Sequence, residues 1–586
     1  MKKIFTSHSA QLFSIVAICG LCLFAFQNCG PAYVNSSNFS SLGLASRLET
    51  TPGAYKQNPF TCKLPTNQAV RSLQRMTQIQ YSNNLKSLVG SEIFNQAAPL
   101  INSLYEDTLK KNVSDFSNTI SDKQMTGYQA LAEKVLIYLK ATPTALQQLG
   151  GACYAQTQVT DACRDAALQN LGLLAFRRPW TTTELKNWVA TIYAQGDSPA
   201  DSLATSIYAM MLSPEFLLHL ELGDQTSGSA SSFQLTPYEV AARISYGIAD
   251  APPDQTLYAA AAANQLATQN QVEQQVDRLL NTPEAKTKIR NFFIFWLDPR
   301  RYSAANFSAD FLQGFDVSAA NDEYSREMLQ YIDYVIFTKK GTFDDLILGQ
   351  ESFAQTASVA GVYGHTPTSA GIPARMAAER KGLLMRSPVI ATDGNETHPI
   401  VRGVKFRNRF LCEAFGLPSG INTNDPTFFS DEARLHLSTR DRSAGITAGQ
   451  TCMGCHSSIN PVGFSFENFD SLGRPRKIET AFSSAGKAIA QYPIKTSSSS
   501  VTLGGPTSIS IQDGSGLVDA IMKENVLAGC FVKQVSRFYR IQLESSDDAC
   551  LLNGMYEKTI IKPNATVLEV FKQQFLSSNI FMRRMN

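Results

Sequence analysis

The chain has 586 residues, 44% hydrophobic and 17% charged, a globular composition that excludes a disordered chain and gives enough length for three or four domains. Its 52 Lys and Arg face 50 Asp and Glu, and loss of Lys2 and Lys3 with a leader would leave 50 against 50. A neutral body with no run of Lys or Arg excludes a nucleic-acid footprint.

Residues 1–29 read as a targeting segment: Lys2 and Lys3 supply the positive end, and Leu12 to Phe26 is an apolar run too short for a comfortable membrane span. The run ends at Phe26-Gln27-Asn28-Cys29-Gly30, which resembles a bacterial lipoprotein cleavage site with Cys29 as the lipidated first residue of the mature chain. Ordinary cleavage and an uncleaved anchor stay open, because Gln27 and Asn28 stand where small residues are usual. The expectation is export to the bacterial periplasm or cell surface, and the resemblance, with Gly30 rather than Asp after the Cys, implies an outer-membrane lipoprotein held at the membrane through Cys29. Residues 30–60, rich in Ser, Asn, Gly and Pro, read as a flexible tether.

The apolar period from Ala69 to Gly90 predicts an amphipathic helix stopped by Gly90. Further helices are expected over Tyr128 to Lys140 and Ala162 to Ala175, with Pro179 as a break before a new start at Thr182. Asp201 to Leu222 reads as a helix kinked or restarted at Pro214, and His219 within it as a packed residue rather than a ligand. Residues 61–224 thus form N-terminal helical domains, closed by a Ser/Gly run, Gln225 to Ser232, taken as the clearest internal boundary.

A central helical domain is expected over 233–376, opening at Thr236-Pro237-Tyr238-Glu239, a helix start with Pro at the first position. Its helices run to Ile248, over Asp254 to Gln265, Gln271 to Leu280, Ser325 to Phe337 and Phe343 to Leu348, the last stopped by Gly349. The run Phe292 to Leu297 reads as core, either helix or strand. The fold class is mainly α: several helical domains followed by a cytochrome c-like domain, with a short hairpin over Ser497 to Ser510.

Within residues 377–490 a helix over Asp431 to Ser438 carries His436, and a polar loop follows from Arg440 to Gln450. Then comes Thr451-Cys452-Met453-Gly454-Cys455-His456. Cys-x-x-Cys-His is the spacing at which two thiols capture a haem covalently and the next imidazole becomes an axial iron ligand. With 11 Cys and 6 His in the chain, chance yields the pattern roughly two times in a thousand such chains, so the signal is specific. A redox dithiol lacks the preceding strand, and a zinc site lacks its second ligand pair. The expected cofactor is one haem c, held by Cys452 and Cys455 with His456 as proximal ligand. For the sixth iron position the candidates are His436, then Met522 and His398, or a vacancy. Ile459, Pro461, Phe464, Phe466 and Phe469 would wall a haem crevice or simply form core, and Arg474 and Arg476 are candidates to pair with propionates. Residues 491–586 are expected to pack on this domain.

Setting aside Cys19, Cys22, Cys29, Cys452 and Cys455 leaves six cysteines, an even number that suits an oxidising compartment. Closeness in sequence suggests Cys153 with Cys163 and Cys530 with Cys550, which leaves Cys62 with Cys412. Buried free thiols are the open alternative.

The chain resembles the planctomycete-type cytochrome-like proteins, exported multidomain proteins of unknown function. The likeness rests on Leu73-Gln74-Arg75-Met76-Thr77, Ala175-Phe176-Arg177-Arg178-Pro179, Leu212-Ser213-Pro214-Glu215-Phe216-Leu217 and Tyr238 to Tyr246. It continues at Asn395 to Gly403, at Cys452 to His456 with Asn460-Pro461-Val462-Gly463-Phe464, and at Glu467 to Arg474, while Cys530 and Cys550 fall where such relatives have Cys. It implies a secreted, haem-c-bearing protein and supplies no substrate.

The leading expectation is a one-electron carrier with an unidentified redox partner protein; a vacant sixth position would instead permit peroxidase-like chemistry. A surface binding or polymer-degradation factor with a secondary haem, and a disulfide-stapled binding protein without haem, are the alternatives. Glu467 and Asp470 stand near the motif, but acidic residues on a helix surface usually do no acid-base work.

Overall fold

The computed structural model describes residues 58–62, 74–101, 104, 118–156, 158–229, 232–415, 429–504 and 507–584. The leader, Cys29 and most of the tether lie outside the described residues. The class is mainly α, with only short strands.

An N-terminal helical layer holds α1 (Gln78–Ile101), α2 (Asp122–Ala141), α3 (Asp161–Phe176) and α4 (Pro199–Leu212). They close on a core that includes Tyr81, Leu85, Leu131, Leu168, Ile207 and Phe216. Gly90 does break α1, with φ 76° and ψ 167°, yet the helix resumes to Ile101. The reason is that Ile93, Ala97 and Ile101 continue the apolar stripe, so their burial restarts the helix where local propensity ends it. At Pro214 the chain restarts as a short turn, Pro214–Leu217, capped by the Ser213 hydroxyl. Leu218–His219 then pairs antiparallel with Gln74–Arg75. His219 is a packed residue, its Nε2 2.8 Å from Gln80 Oε1 and its ring edge-on to Tyr246.

Most of the Ser/Gly run taken as an internal boundary lies in strands. Asp224–Ser229 and Ser232–Gln234 form a hairpin, and Met582–Arg584 joins it as a third strand. Arg243 fastens that return, donating to the carbonyls of Ile580 and Met582 while pairing with Glu221. Composition marked a polar stretch, but the backbone of Asp224–Ser229 pairs with the neighbouring strand Ser232–Gln234, whose other edge takes the distant Met582–Arg584.

A second, larger core draws on residues from Leu235 to Ile580, interrupted in sequence by a third, smaller core around Tyr302, Phe311, Tyr324 and Tyr363. It takes in α5 (Pro237–Ala249), α6 (Pro283–Leu297), α7 (Val317–Asp333) and α8 (Pro399–Phe410). The stretch around the motif follows as α9 (Asp431–His436), α10 (Thr439–Ile446) and α11 (Gln450–Phe464), and α12 (Asn525–Arg540) closes the core from the other side. The ambiguous aromatic run belongs to helix α6, where Trp296 is fully buried and donates to the Arg409 carbonyl at 2.8 Å. The hairpin expected over 497–510 is present as Ser498–Thr502 against Ser508–Ile511. A second hairpin, Ile478–Phe482 against Ala488–Pro493, was not anticipated.

Two expectations are corrected. The polar stretch from Arg440 is not a loop but α10, because the Ser438 hydroxyl caps the Asp441 amide at 3.1 Å and Thr439, Arg442 and Ser443 are buried. Of the disulfides, Cys153 pairs with Cys163 as expected, but Cys62 pairs with Cys550 and Cys412 with Cys530, in place of Cys530–Cys550 and Cys62–Cys412. Helix packing decides this. Cys530 on α12 meets Cys412 just past the end of α8, with Cα atoms 5.4 Å apart. Cys550 starts a helix whose Asn553 donates to the Phe60 carbonyl at 2.8 Å, so it meets the 58–62 segment instead.

Candidate functional site

Gly449 caps α11 and places Cys452 in its first turn. Cys452, Cys455 and His456 stand at i, i+3 and i+4 and therefore share one face of the helix. All three side chains are half-buried. Cys452 and Cys455 carry free thiols, whereas Cys62, Cys153, Cys163, Cys412, Cys530 and Cys550 are all in disulfides.

Further along, the same face is pressed against α8. A Cβ on Gly403 would strike the Ile459 backbone, and one on Gly463 would strike the Pro399 carbonyl, so two glycines permit the close crossing. Arg407 on α8 locks it, with Nε donating to the Ser458 carbonyl at 2.8 Å, Nη1 to Glu413 at 2.6 Å and Nη2 to the Thr502 carbonyl at 2.5 Å. Below the motif Arg402, buried, donates to Glu467 Oε1 at 3.1 Å and to the carbonyls of Ile390 and Asp470, and burial pushes its pKa down to about 10. Glu467 also accepts from Thr397 at 2.7 Å and Arg476 at 3.0 Å, and Asp470 accepts from Arg474 Nε at 2.6 Å. Glu467, Asp470, Arg474 and Arg476 are thus engaged with one another and with α8, which makes them framework of the motif helix. Phe464, Phe466 and Phe469 are core: Phe466 packs on Phe406, and Arg380 lies over Phe469.

His456 has one polar partner recorded, Asn460 one turn on, with Nδ1 3.0 Å from Oδ1. Asn460 Nδ2 donates to Thr447 Oγ1 at 2.8 Å, and that hydroxyl donates to the Ser443 carbonyl at 2.8 Å. The sequence reading passed over Asn460, Thr447 and Ser443. A polar residue one helical turn after the motif histidine was the available signal.

Of the residues considered for the sixth iron position, His436 is exposed, its Nε2 2.9 Å from Glu432 Oε1 on its own helix, and α9 leans on the 478–493 hairpin. Met522 is buried in the large core at the end of the helix Gly514–Met522. His398 sits at the N-cap of α8, with Nε2 3.0 Å from the Asp393 carbonyl.

Among the described residues no group of three or more His, Cys, Asp and Glu is placed to hold a bare metal ion, and no helix is long and apolar enough to cross a membrane. Haem makes a smaller demand, since its ring supplies four of the iron's ligands. Two unpaired thiols and one imidazole on a single helical face fit that group. Val401, Phe429, Leu435, Leu437, Met453 and Ile478, large apolar side chains left exposed, all belong to the stretch that carries the motif.

Residues 235–364 match the family described as PSD4, a protein of unknown function (DUF1592), and residues 380–479 match PSCyt3, a protein of unknown function (DUF1588). Both are planctomycete cytochrome-like domain families, and the two matches together span less than half of the chain. The second covers α8 to α11 and so contains the motif. No curated protein and no solved structure matches the chain.

Proposed function

We propose that this protein is an exported, c-type cytochrome-like lipoprotein that carries one covalent haem on α11 and passes single electrons in the cell envelope. The observation that carries the reading is the unpaired state of Cys452 and Cys455 in a chain whose other described cysteines are all paired. In a compartment oxidising enough to close three disulfides, two thiols three residues apart are consumed by oxidation or by another reaction. Addition to haem vinyl groups consumes them: each sulfur forms a bond to one vinyl carbon, the thiol proton goes to the other, and no electrons are lost. Haem supplies a one-electron iron couple when bound.

His456 would hold the iron through Nε2, and His436, Met522 or a small exogenous ligand would complete its coordination. Cys29 provides the lipid anchor and the redox partner is a second envelope protein.

The test is a haem stain on a denaturing gel with a pyridine haemochrome spectrum, on protein made in a host with cytochrome c maturation. A covalent signal lost in Cys452→Ala and Cys455→Ala is expected. Well-folded protein without the signal would overturn the reading.

A further inference from the structure

The half-buried His456 can be followed proton by proton. The Thr447 hydroxyl has one hydrogen, and it is directed at the Ser443 carbonyl. Thr447 Oγ1 therefore accepts from Asn460, which places the Asn460 amide nitrogen on the Thr447 side and its carbonyl oxygen on the His456 side. An acceptor oxygen 3.0 Å from Nδ1 requires that Nδ1 carry the hydrogen, so the Nε2 lone pair is left free. Asn460 has little freedom to turn, since it is 6% exposed and Thr447 is 4% exposed.

We infer that Asn460, held in orientation by Thr447, is a positioning residue that fixes His456 as the Nδ1–H tautomer and sets how strongly its Nε2 donates to iron. A side-chain amide in this place makes the acceptor strength adjustable by substitution, which a backbone carbonyl would not allow. A stronger acceptor puts more electron density on the imidazole and favours the ferric state; removal of the acceptor favours the ferrous state.

The inference has two readouts, and only the first rests on the haem reading above. In the haem-loaded full chain, Asn460→Asp lowers the reduction potential and Asn460→Leu raises it. Each shift is on the order of tenfold in ferric-over-ferrous preference, which is ~59 mV for one electron. In the full chain without haem, labelled with nitrogen-15 at its histidines and held at about pH 8.5, roughly two units above the ordinary histidine pKa, His456 gives the Nδ1–H signature. Thr447→Val, which leaves Asn460 in place but frees its amide to turn, gives a mixture of tautomers. It serves as the second variant if Asn460→Leu does not fold. An unchanged potential in both Asn460 variants, or an Nε2–H signature in the unaltered protein, would overturn the inference. If no haem attaches, the functional reading falls while the nitrogen spectrum still decides the role of Asn460.

Discussion

Arg386 and Glu327 meet beside Tyr331 of the large core, both fully buried, with the guanidinium 3.8 Å from the Tyr331 ring centroid and Nη2 donating to the Glu351 carbonyl at 2.6 Å. Removing one partner strands a charge in a dry interior, so Glu327→Leu should cost ~3–5 kcal/mol in urea unfolding, and the double replacement Glu327→Leu with Arg386→Met clearly less. Glu479 is a milder case. It is buried, accepts from the amide and hydroxyl of Thr439 at 2.8 and 2.5 Å, and burial raises its pKa despite the opposing pull of Arg476. A carboxyl whose folded pKa lies above its unfolded value binds its proton more tightly when folded. Stability should therefore rise as pH falls from neutral through that folded value, and level off below the ordinary carboxylate range. Glu479→Gln should flatten this part of the urea-midpoint profile. Cys452, Cys455 and His456 were legible because their chemistry depends on spacing alone, and a local period survives in any fold. The Arg386–Glu327 pair is 59 residues apart, and no local pattern announces such a partner.

Helices α8 and α11 cross so closely at Gly403 and Gly463 that the crossing sets where the motif face stands. Gly463→Ala must push the Pro399 carbonyl away, and a cost of ~1–3 kcal/mol is expected, with reduced haem loading at equal expression. Gly454→Ala, on the same helix with nothing near its added methyl, is the stability control and should raise unfolding stability by ~0.5–1 kcal/mol through helix propensity alone. Helices with strong caps were readable in the chain, as at Thr181 with Glu184 and Thr236 with Glu239. α10 was not, because Arg440 to Gln450 shows no apolar stripe and its burial is of polar side chains. The 478–493 hairpin escaped for a related reason. Only one of its strands, Ile478–Phe482, buries a regular face, and Gly486 at φ 75° makes its turn without a strong dipeptide signature.

At the scale of the molecule, two disulfides, Cys62–Cys550 and Cys412–Cys530, and one large core tie distant parts of the chain together. Peptide mapping without reduction should recover Cys62–Cys550 and Cys412–Cys530 and no Cys530–Cys550 peptide. Replacing Cys412 and Cys530 by Ser should lower unfolding stability by ~2–5 kcal/mol. Six paired cysteines were readable as a number but not as a connectivity, since connectivity follows from which helices touch. The return of Met582–Arg584 to the strand at 232–234, and the clasp of 58–62 on the helix Ala549–Lys558, also bear on time. Ribosomes deliver ~5–20 residues per second, so about 25 to 100 seconds separate the two halves of that clasp. The large core cannot be completed before residues up to Ile580 have been made, whereas the N-terminal core draws on nothing beyond Tyr246 and can close while the rest of the chain is still being synthesised.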